Sequence, residues 1–177
     1  KIVVGSGLDE ATEMGPLISR AHQKKVLDYI QAGCCEGGEI MCGGGTYNDK
    51  RSAGNFVQPT IFSNTKPSMR IVKEEIFGPV LVLIPYDGID EAVDIANDSP
   101  YGLAGAVYAA NQETGIAIAR RIRTGQVTVN NGRFNPNAPF GGYKQSGIGR
   151  ENGVETLKHF TQIKSVFVET GELERPY

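Results

Sequence analysis

The chain has 177 residues, of which 40% are apolar and 21% charged, as in a globular protein with its own buried core. Its 18 Lys and Arg residues against 20 Asp and Glu residues give a net charge of −2 without any block of like charge, which argues against a nucleic-acid partner. The longest apolar stretch, residues 80–84, ends at Pro85 and is too short to span a membrane, so we expect no membrane partner.

Helical and extended segments alternate along the chain. Residues 19–35 form the first predicted helix, with apolar residues near helical spacing and Ser19 as the candidate N-cap. Helical spacing of apolar residues also predicts helices over residues 89–97 and 112–123, and a short helix is expected over residues 152–159. Short apolar or alternating runs predict extended segments over residues 39–42, 56–61, 80–84, 103–109, 126–130 and 161–169.

From residue 80 onward the predicted order is strand, helix, strand, helix, strand. Connections of this kind are typical of parallel strands, so we expect an α/β fold with an open, mostly parallel sheet and flanking helices. The loop over residues 131–150 is rich in Gly, Pro and Asn, and a loop of that length in a folded domain is usually functional or disordered.

Cysteine and histidine usage excludes several kinds of site. Cys34, Cys35 and Cys42 are odd in number and have no CxxC spacing, which is typical of a reducing, cytoplasmic compartment. His22 and His159 lie far apart in sequence, so we expect no metal site. The chain contains no GxSxG motif, which gives a serine hydrolase no support.

The glycine-rich segments do not form a nucleotide-binding fingerprint. After Gly147 and Gly149, Asn152 stands where a dinucleotide motif would need a third glycine. The three glycines at 43–45 lack the Lys-Ser/Thr pair of a P-loop. We interpret both segments as turns.

Two other segments combine residues that suit a ligand site. KEEIFGPV, at residues 73–80, places two carboxylates, an aromatic ring and a Gly-Pro pair directly before a predicted buried strand. NAPFGGYKQSGIGRE, at residues 137–151, places Phe140 between a proline and two glycines, so that a stiff loop can present its ring.

Together with MGPLIS at residues 14–19, these segments resemble the NAD(P)-dependent aldehyde dehydrogenase superfamily. The resemblance covers essentially the whole chain in the family's order, but only about the last third of a typical member. It implies that residues 1–157 are part of the catalytic domain and that residues 158–177 are an oligomerisation strand and tail. The chain begins with Lys1 and not with Met, which also suggests a carboxyl-terminal fragment.

The resemblance also implies a cofactor, NAD or NADP, and an aldehyde as the substrate. Glu75 is the carboxylate implied to bind the nicotinamide-side ribose, since its oxygens can accept from both hydroxyls of a diol. Phe77 is implied to lie against the nicotinamide. Phe140 and Phe134 are implied to line the aldehyde pocket, and Arg133 beside them is either a selector of polar or acidic aldehydes or a solvated loop residue.

No residue of this chain is assigned as catalytic. The family's nucleophilic cysteine follows a Gly-Gln-x-Cys pattern, and Cys34, Cys35 and Cys42 lack that context. The resemblance therefore implies that the thiolate and the general base lie upstream of Lys1, and we expect this polypeptide alone to be inactive. The alternative is a naturally short, noncatalytic protein that uses the same fold for binding or assembly.

The final predicted strand indicates self-association. Over residues 162–169 it carries apolar side chains on both faces, so it needs a covering partner. We expect a homo-oligomer in which another subunit supplies that cover.

Overall fold

In the computed structural model, which describes residues 2–171, the chain divides into two units, Lys1–Ser99 and Pro100–Tyr177. Both units combine helices with β-strands, and the predicted α/β class is confirmed. The two units meet after Ser99 and not after residue 157, where we predict the boundary between the catalytic part and the oligomerisation strand and tail. That boundary stays a prediction.

The first unit has one three-stranded sheet, in which β2 (Thr60–Ser63) is the central strand. β1 (Glu39–Cys42) runs antiparallel to β2, whereas β3 (Val80–Val82) runs parallel to it. The helices are α1 (Arg20–Cys35), α2 (Arg70–Lys73) and α3 (Ile89–Asn97), a short 3₁₀ helix covers Lys50–Ala53, and the strands are β1 (Glu39–Cys42), β2 (Thr60–Ser63) and β3 (Val80–Val82).

Local chemistry explains where α1 and β2 begin. The Ser19 side chain caps α1 by accepting from the backbone N–H of His22 at 3.1 Å. The extended segment predicted over residues 56–61 becomes a strand only at Thr60, because Pro59 has no N–H to donate. The backbone N–H of Thr60 donates to the Pro79 carbonyl at 2.9 Å, which starts the pairing of β2 with the segment that leads into β3.

The core of the first unit lies between α1 and the sheet. Phe62 on β2 and Val26 on α1 are fully buried, and Gln23 beside them is buried with its amide donating to the Phe56 carbonyl at 2.8 Å. The buried cluster is formed by apolar side chains from α1, β2, α2 and the loops that flank them: Val26, Ile30, Val57, Phe62, Met69, Ile71 and Ile76.

A polar cluster ties α2 to α1 at the surface. Glu74 accepts hydrogen bonds from the Arg70 guanidinium, at 3.0 Å, and from the Tyr29 hydroxyl, at 2.8 Å. The guanidinium also lies over the Tyr29 ring, 5.1 Å from its centroid. Hydrogen bonds from Arg70 and then from Tyr29 lower the pKa of Glu74 to about 2, and the Glu74 carboxylate in turn raises the pKa of Tyr29.

The second unit contains a parallel strand pair with a helical crossover. β5 (Ala104–Val107) and β6 (Gln126–Val129) pair over their full lengths, and α4 (Gln112–Ala119) connects them. A Cβ on Gly115 of α4 would lie 2.5 Å from Cγ1 of Val129, so the helix approaches β6 closely there. The elements are β4 (Tyr101–Gly102), β5 (Ala104–Val107), α4 (Gln112–Ala119), β6 (Gln126–Val129) and β7 (Tyr143–Lys144), with β4 antiparallel to β7 and a 3₁₀ helix at Val154–His159.

The strand-helix series expected from residue 80 onward is divided between two sheets. β3 pairs with β2, which lies before it in the chain, whereas β5 pairs with β6. The β5–β6 pairing is parallel, as expected, whereas β3 pairs in parallel with β2 and not with β5. The difference arises because β2 offers its own hydrogen-bonding edge to β3, a pairing that the apolar pattern of β3 alone does not reveal.

The strand predicted over residues 161–169 is wrong for the single chain. The structure assigns no strand there, and the side chains of Ile163 and Phe167 are 99% and 93% exposed. A strand needs a second backbone to pair with, and none of residues 2–171 pairs with this segment. The tail after Gly171 lies outside the described residues.

Across the described part of the chain, no helix combines the length and apolar character needed to cross a bilayer.

The Glu74 cluster predicts a pH dependence of stability. Because folding lowers the pKa of Glu74 from its ordinary 4.5 to about 2, its contribution is fully present above pH 4.5 and is lost as the pH falls toward 2. We expect Glu74→Gln to lower the free energy of unfolding at neutral pH. The difference in this free energy between the variant and the unaltered chain should shrink as the pH falls from 4.5 to about 2. Urea unfolding at a series of pH values measures the free energy of both proteins.

Glu75→Gln is the matched control for this experiment, since the Glu75 carboxylate is exposed and has no ion pair or hydrogen bond within residues 2–171. A Glu74→Gln difference that stays constant from neutral pH down to about pH 2 would contradict the assignment.

Candidate functional site

The turn between α2 and β3 carries the first pair of predicted site residues, Glu75 and Phe77. Its two adjacent carboxylates have different environments. Glu74 is held by Arg70 and Tyr29, whereas the Glu75 carboxylate is exposed and free of any partner in the described chain. Glu75 can therefore accept hydrogen bonds from a ligand without first breaking a contact within the protein.

Phe77 has an unusual backbone and an exposed ring. Its φ angle of 57° lies in the left-handed region, which is costly for a bulky side chain, and the residue is 72% exposed. The Phe77 carbonyl lies 2.8 Å from Nε2 of His22 on α1. A carbonyl oxygen can only accept, so Nε2 carries the hydrogen and donates it. The two rings also meet, with centroids 6.0 Å apart and planes inclined at 31°.

Neighbours on both sides of Phe77 anchor the turn to the core. Ile76 is buried. Gly78 runs so close to α1 that a Cβ there would lie 2.6 Å from Cγ2 of Val26. The turn is thus fixed by packing on either side of Phe77, while the ring itself remains exposed.

This turn fits a dinucleotide in the chemistry that it offers. A free carboxylate can accept both hydroxyls of a ribose, and an exposed aromatic ring can pack against a flat heterocycle. Glu75 and Phe77 lie only two residues apart on an anchored turn. Both side chains are exposed on this turn.

The loop between β6 and β7 carries the second pair, Phe134 and Phe140. Their rings meet edge to face, with centroids 6.2 Å apart and an angle of 81°. Phe140 is partly buried and lines a cavity of about 670 Å³ together with Leu103, Arg150, His159 and Phe160. Phe134 is 59% exposed and does not line that cavity. The two rings are brought together, but only Phe140 belongs to the cavity wall.

Backbone hydrogen bonds fix the position of Phe140. Its N–H and carbonyl pair with the carbonyl and N–H of Glu151, both at 2.7 Å. Next to it, the Arg150 guanidinium donates to the carbonyls of Gly142 and Gly149. A Cβ on Gly125 would lie 1.6 Å from the Gly141 carbonyl oxygen, so only glycine is possible at this crossing.

An asparagine at the end of β6 holds the start of the loop. The Asn130 side chain accepts from the N–H of Ala109 at 2.9 Å and donates to the carbonyl of Ala109 at 3.0 Å. This pair of bonds continues the β5–β6 ladder by one further step.

Sequence reasoning missed His22, Asn130 and Arg150 as supporting residues. The partner of His22 is a backbone carbonyl 55 residues away, and no side-chain pattern marks such an acceptor. For Asn130 the residue type itself could have indicated a turn, since asparagine tolerates the left-handed conformation that it adopts here, at φ 48°.

The three cysteines are exposed, and within residues 2–171 none of their thiols has a basic partner. Cys35 accepts from the Gln31 amide at 3.3 Å, and the Cys42 thiol lies 3.8 Å from the Pro59 carbonyl. A cysteine nucleophile is normally activated by a neighbouring base or cation. No group of three or more His, Cys, Asp or Glu residues within residues 2–171 is arranged to hold a metal ion.

Comparisons with known proteins identify the family of the chain. The family model described as "Aldehyde dehydrogenase family" matches residues 1–166. The betaine aldehyde dehydrogenase of Brucella anthropi is 46% identical over the whole chain, which spans about 37% of that protein's length.

Two solved structures share the fold. An aldehyde dehydrogenase of Mycobacterium tuberculosis complexed with NAD+ is 49% identical, with a TM-score of 0.92 over 97% of this chain and 35% of the other. A mutant of aldehyde dehydrogenase C from Pseudomonas syringae, complexed with NAD+ and octanal, is also 49% identical, with a TM-score of 0.86 over 90% of this chain and 33% of the other. The chain belongs to the aldehyde dehydrogenase family.

Proposed function

We propose that the chain is the carboxyl-terminal part of an NAD(P)-dependent aldehyde dehydrogenase that oxidises an aldehyde to a carboxylic acid. In this reaction the aldehyde carbon gives up a hydride to NAD(P)+, water supplies the second carboxyl oxygen, and two protons are released, the second by ionisation of the acid to its carboxylate. The observation that carries the proposal is the anchored turn with its free Glu75 carboxylate and exposed Phe77 ring. The NAD+ complexes of the relatives support the same reading.

On this proposal Glu75 and Phe77 orient the cofactor. The Glu75 carboxylate accepts hydrogen bonds from the ribose hydroxyls, which fixes the sugar and the ring attached to it. The Phe77 ring packs against the nicotinamide by dispersion, without a hydrogen bond that would compete with the reacting groups. The bound cofactor supplies the hydride acceptor.

Phe140 lines the aldehyde pocket on this proposal, with Phe134 supporting it. Paired aromatic rings offer an apolar surface to the aldehyde's side chain. Two backbone hydrogen bonds to Glu151 hold that surface in place, because the N–H and the carbonyl of Phe140 each form one of them, at 2.7 Å.

The nucleophilic thiolate and its base come, we propose, from a part of the enzyme outside this chain. Among the described residues, the hydrogen-bond partners of the cysteine thiols are the Gln31 amide, for Cys35, and the Pro59 carbonyl, for Cys42. Neither of these partners can remove a thiol proton.

Residues 162–169 pair, on this proposal, with another subunit of a homo-oligomer. This segment exposes Ile163, Val166, Phe167 and Val168 in the single chain. An extended segment with apolar side chains and unpaired backbone groups is suited to adding a strand to another subunit's sheet.

The first prediction concerns catalysis by the 177-residue chain alone. Without an activated thiolate, the purified chain should not reduce NAD+ or NADP+ with octanal above the buffer blank, as followed by nicotinamide absorbance. Turnover above the blank that disappears when Cys34, Cys35 and Cys42 are all replaced by Ser would contradict the proposal.

A second prediction concerns Glu75 in the longer enzyme that contains this chain. Glu75→Gln removes a charge-assisted acceptor, which is worth about 1.5 to 3 kcal/mol. We expect kcat/KM for NAD(P)+ to fall by about one to two powers of ten. Initial-rate kinetics with the cofactor varied measure this loss.

Glu10→Gln is the control, since Glu10 is also exposed and, within the described structure, has no hydrogen-bond or ion-pair partner. If Glu75→Gln and Glu10→Gln leave cofactor kinetics equally unchanged, Glu75 is only a surface charge.

The third prediction concerns self-association. The intact chain should sediment as an oligomer at micromolar concentration, and Phe167→Asp should shift it toward the monomer, because a charge would be buried in the strand pairing. Ile18→Asp alters an apolar side chain that is 90% exposed in the first unit and should not change the oligomer. A monomeric intact chain would refute the pairing.

A further inference from the structure

We propose that His22 is a positioning residue for the cofactor site: through its hydrogen bond to the Phe77 carbonyl, it holds Phe77 in the left-handed conformation that presents the ring. The proposal rests on the function proposed for Phe77. It assigns a role to a side chain on α1 that itself contacts the turn backbone and need not touch the cofactor.

The geometry of the contact makes His22 a hydrogen-bond donor. Nε2 of His22 lies 2.8 Å from the carbonyl oxygen of Phe77, within hydrogen-bonding distance. The oxygen accepts, so Nε2 must donate, and both the imidazolium and the Nε2–H tautomer can do so. The hydrogen bond therefore does not require one protonation state of the ring.

The backbone of Phe77 needs such a support. Its φ angle of 57° is one that a bulky L-residue adopts only when its surroundings impose it. Packing of Ile76 and Gly78 fixes the chain on either side of Phe77. The hydrogen bond from His22 holds the Phe77 carbonyl itself, and the peptide plane that carries this carbonyl sets ψ of Phe77.

His22 is itself rigidly placed. Its backbone N–H donates to Ser19, the N-cap of α1, at 3.1 Å. The next residue, Gln23, is buried and bound to the Phe56 carbonyl. His22 is half-buried, and its ring lies against the Phe77 ring. The first turn of α1 is thus held in place, and through His22 it holds the loop segment that carries Glu75 and Phe77.

Two substitutions separate the hydrogen bond from the ring contact. His22→Gln keeps an N–H donor of similar reach and removes the ring, whereas His22→Phe keeps an aromatic ring and removes the donor. Carbon-13 chemical shifts of Phe77 Cα and Cβ in the 177-residue chain report its backbone conformation directly. We expect left-handed shifts in the unaltered chain and in His22→Gln, and a change toward extended values in His22→Phe.

The other histidine gives the matched control. The His159 side chain makes no hydrogen bond or ring contact within residues 2–171, so His159→Phe should leave the Phe77 shifts unchanged. The shifts of Val26 and Phe62 report whether each variant keeps its core. Phe77 shifts that remain left-handed in His22→Phe, with the core shifts intact, would overturn the proposal.

Kinetics of the longer enzyme distinguish this proposal from the one on which it rests. We expect His22→Phe to raise KM for NAD(P)+ about fivefold, as for loss of one neutral hydrogen bond, with a smaller change in kcat, and His22→Gln to restore KM. Phe77→Ala should raise KM at least as much. If the shifts respond to His22→Phe but Phe77→Ala leaves KM unchanged, His22 still positions the turn and the cofactor role of Phe77 is wrong.

Discussion

The packing of α1 against the three-stranded sheet is the constraint on which the proposed cofactor site depends. Val26 and Phe62 are fully buried in this layer, and Val26 leaves room only for a glycine where the chain passes at Gly78. His22 lies four residues before Val26, on the same face of the helix, and reaches the Phe77 carbonyl. One helix face therefore supplies both the apolar surface under the turn and the donor that orients it.

A second consequence of this packing is that the two adjacent carboxylates have separate tasks. Glu74 binds Arg70 and Tyr29 and so links α2 to α1. Glu75, one residue further, remains free in the described structure. Because the surface pair is more than a third exposed, solvent screens it, and its main effect is to orient the end of α2 rather than to stabilise the fold strongly.

The second unit fixes its aromatic pair by backbone bonds instead of by core packing. Phe140 is paired with Glu151, Arg150 closes the loop on two carbonyls, and Asn130 continues the β5–β6 ladder. Polar backbone groups in a glycine-rich loop have few side chains to cover them. Hydrogen bonds within the loop therefore pair these groups and fix the loop's conformation. In this way a segment with little regular structure still presents one ring at a defined position.

The sequence by itself determined the α/β class, the extents of α1, α3 and β6 to within a few residues, and the family, because helical periodicity, caps and short motifs are local. Only the tertiary structure decided that β3 pairs with β2, that Glu74 is bound while Glu75 is free, and that His22 supports Phe77. It also gave residues 161–169 no strand partner among residues 2–171, although their apolar pattern is that of a strand. The physical reason is common to all of these cases: pairing and hydrogen bonding depend on a second backbone or side chain distant in sequence, and no local pattern specifies where that partner lies.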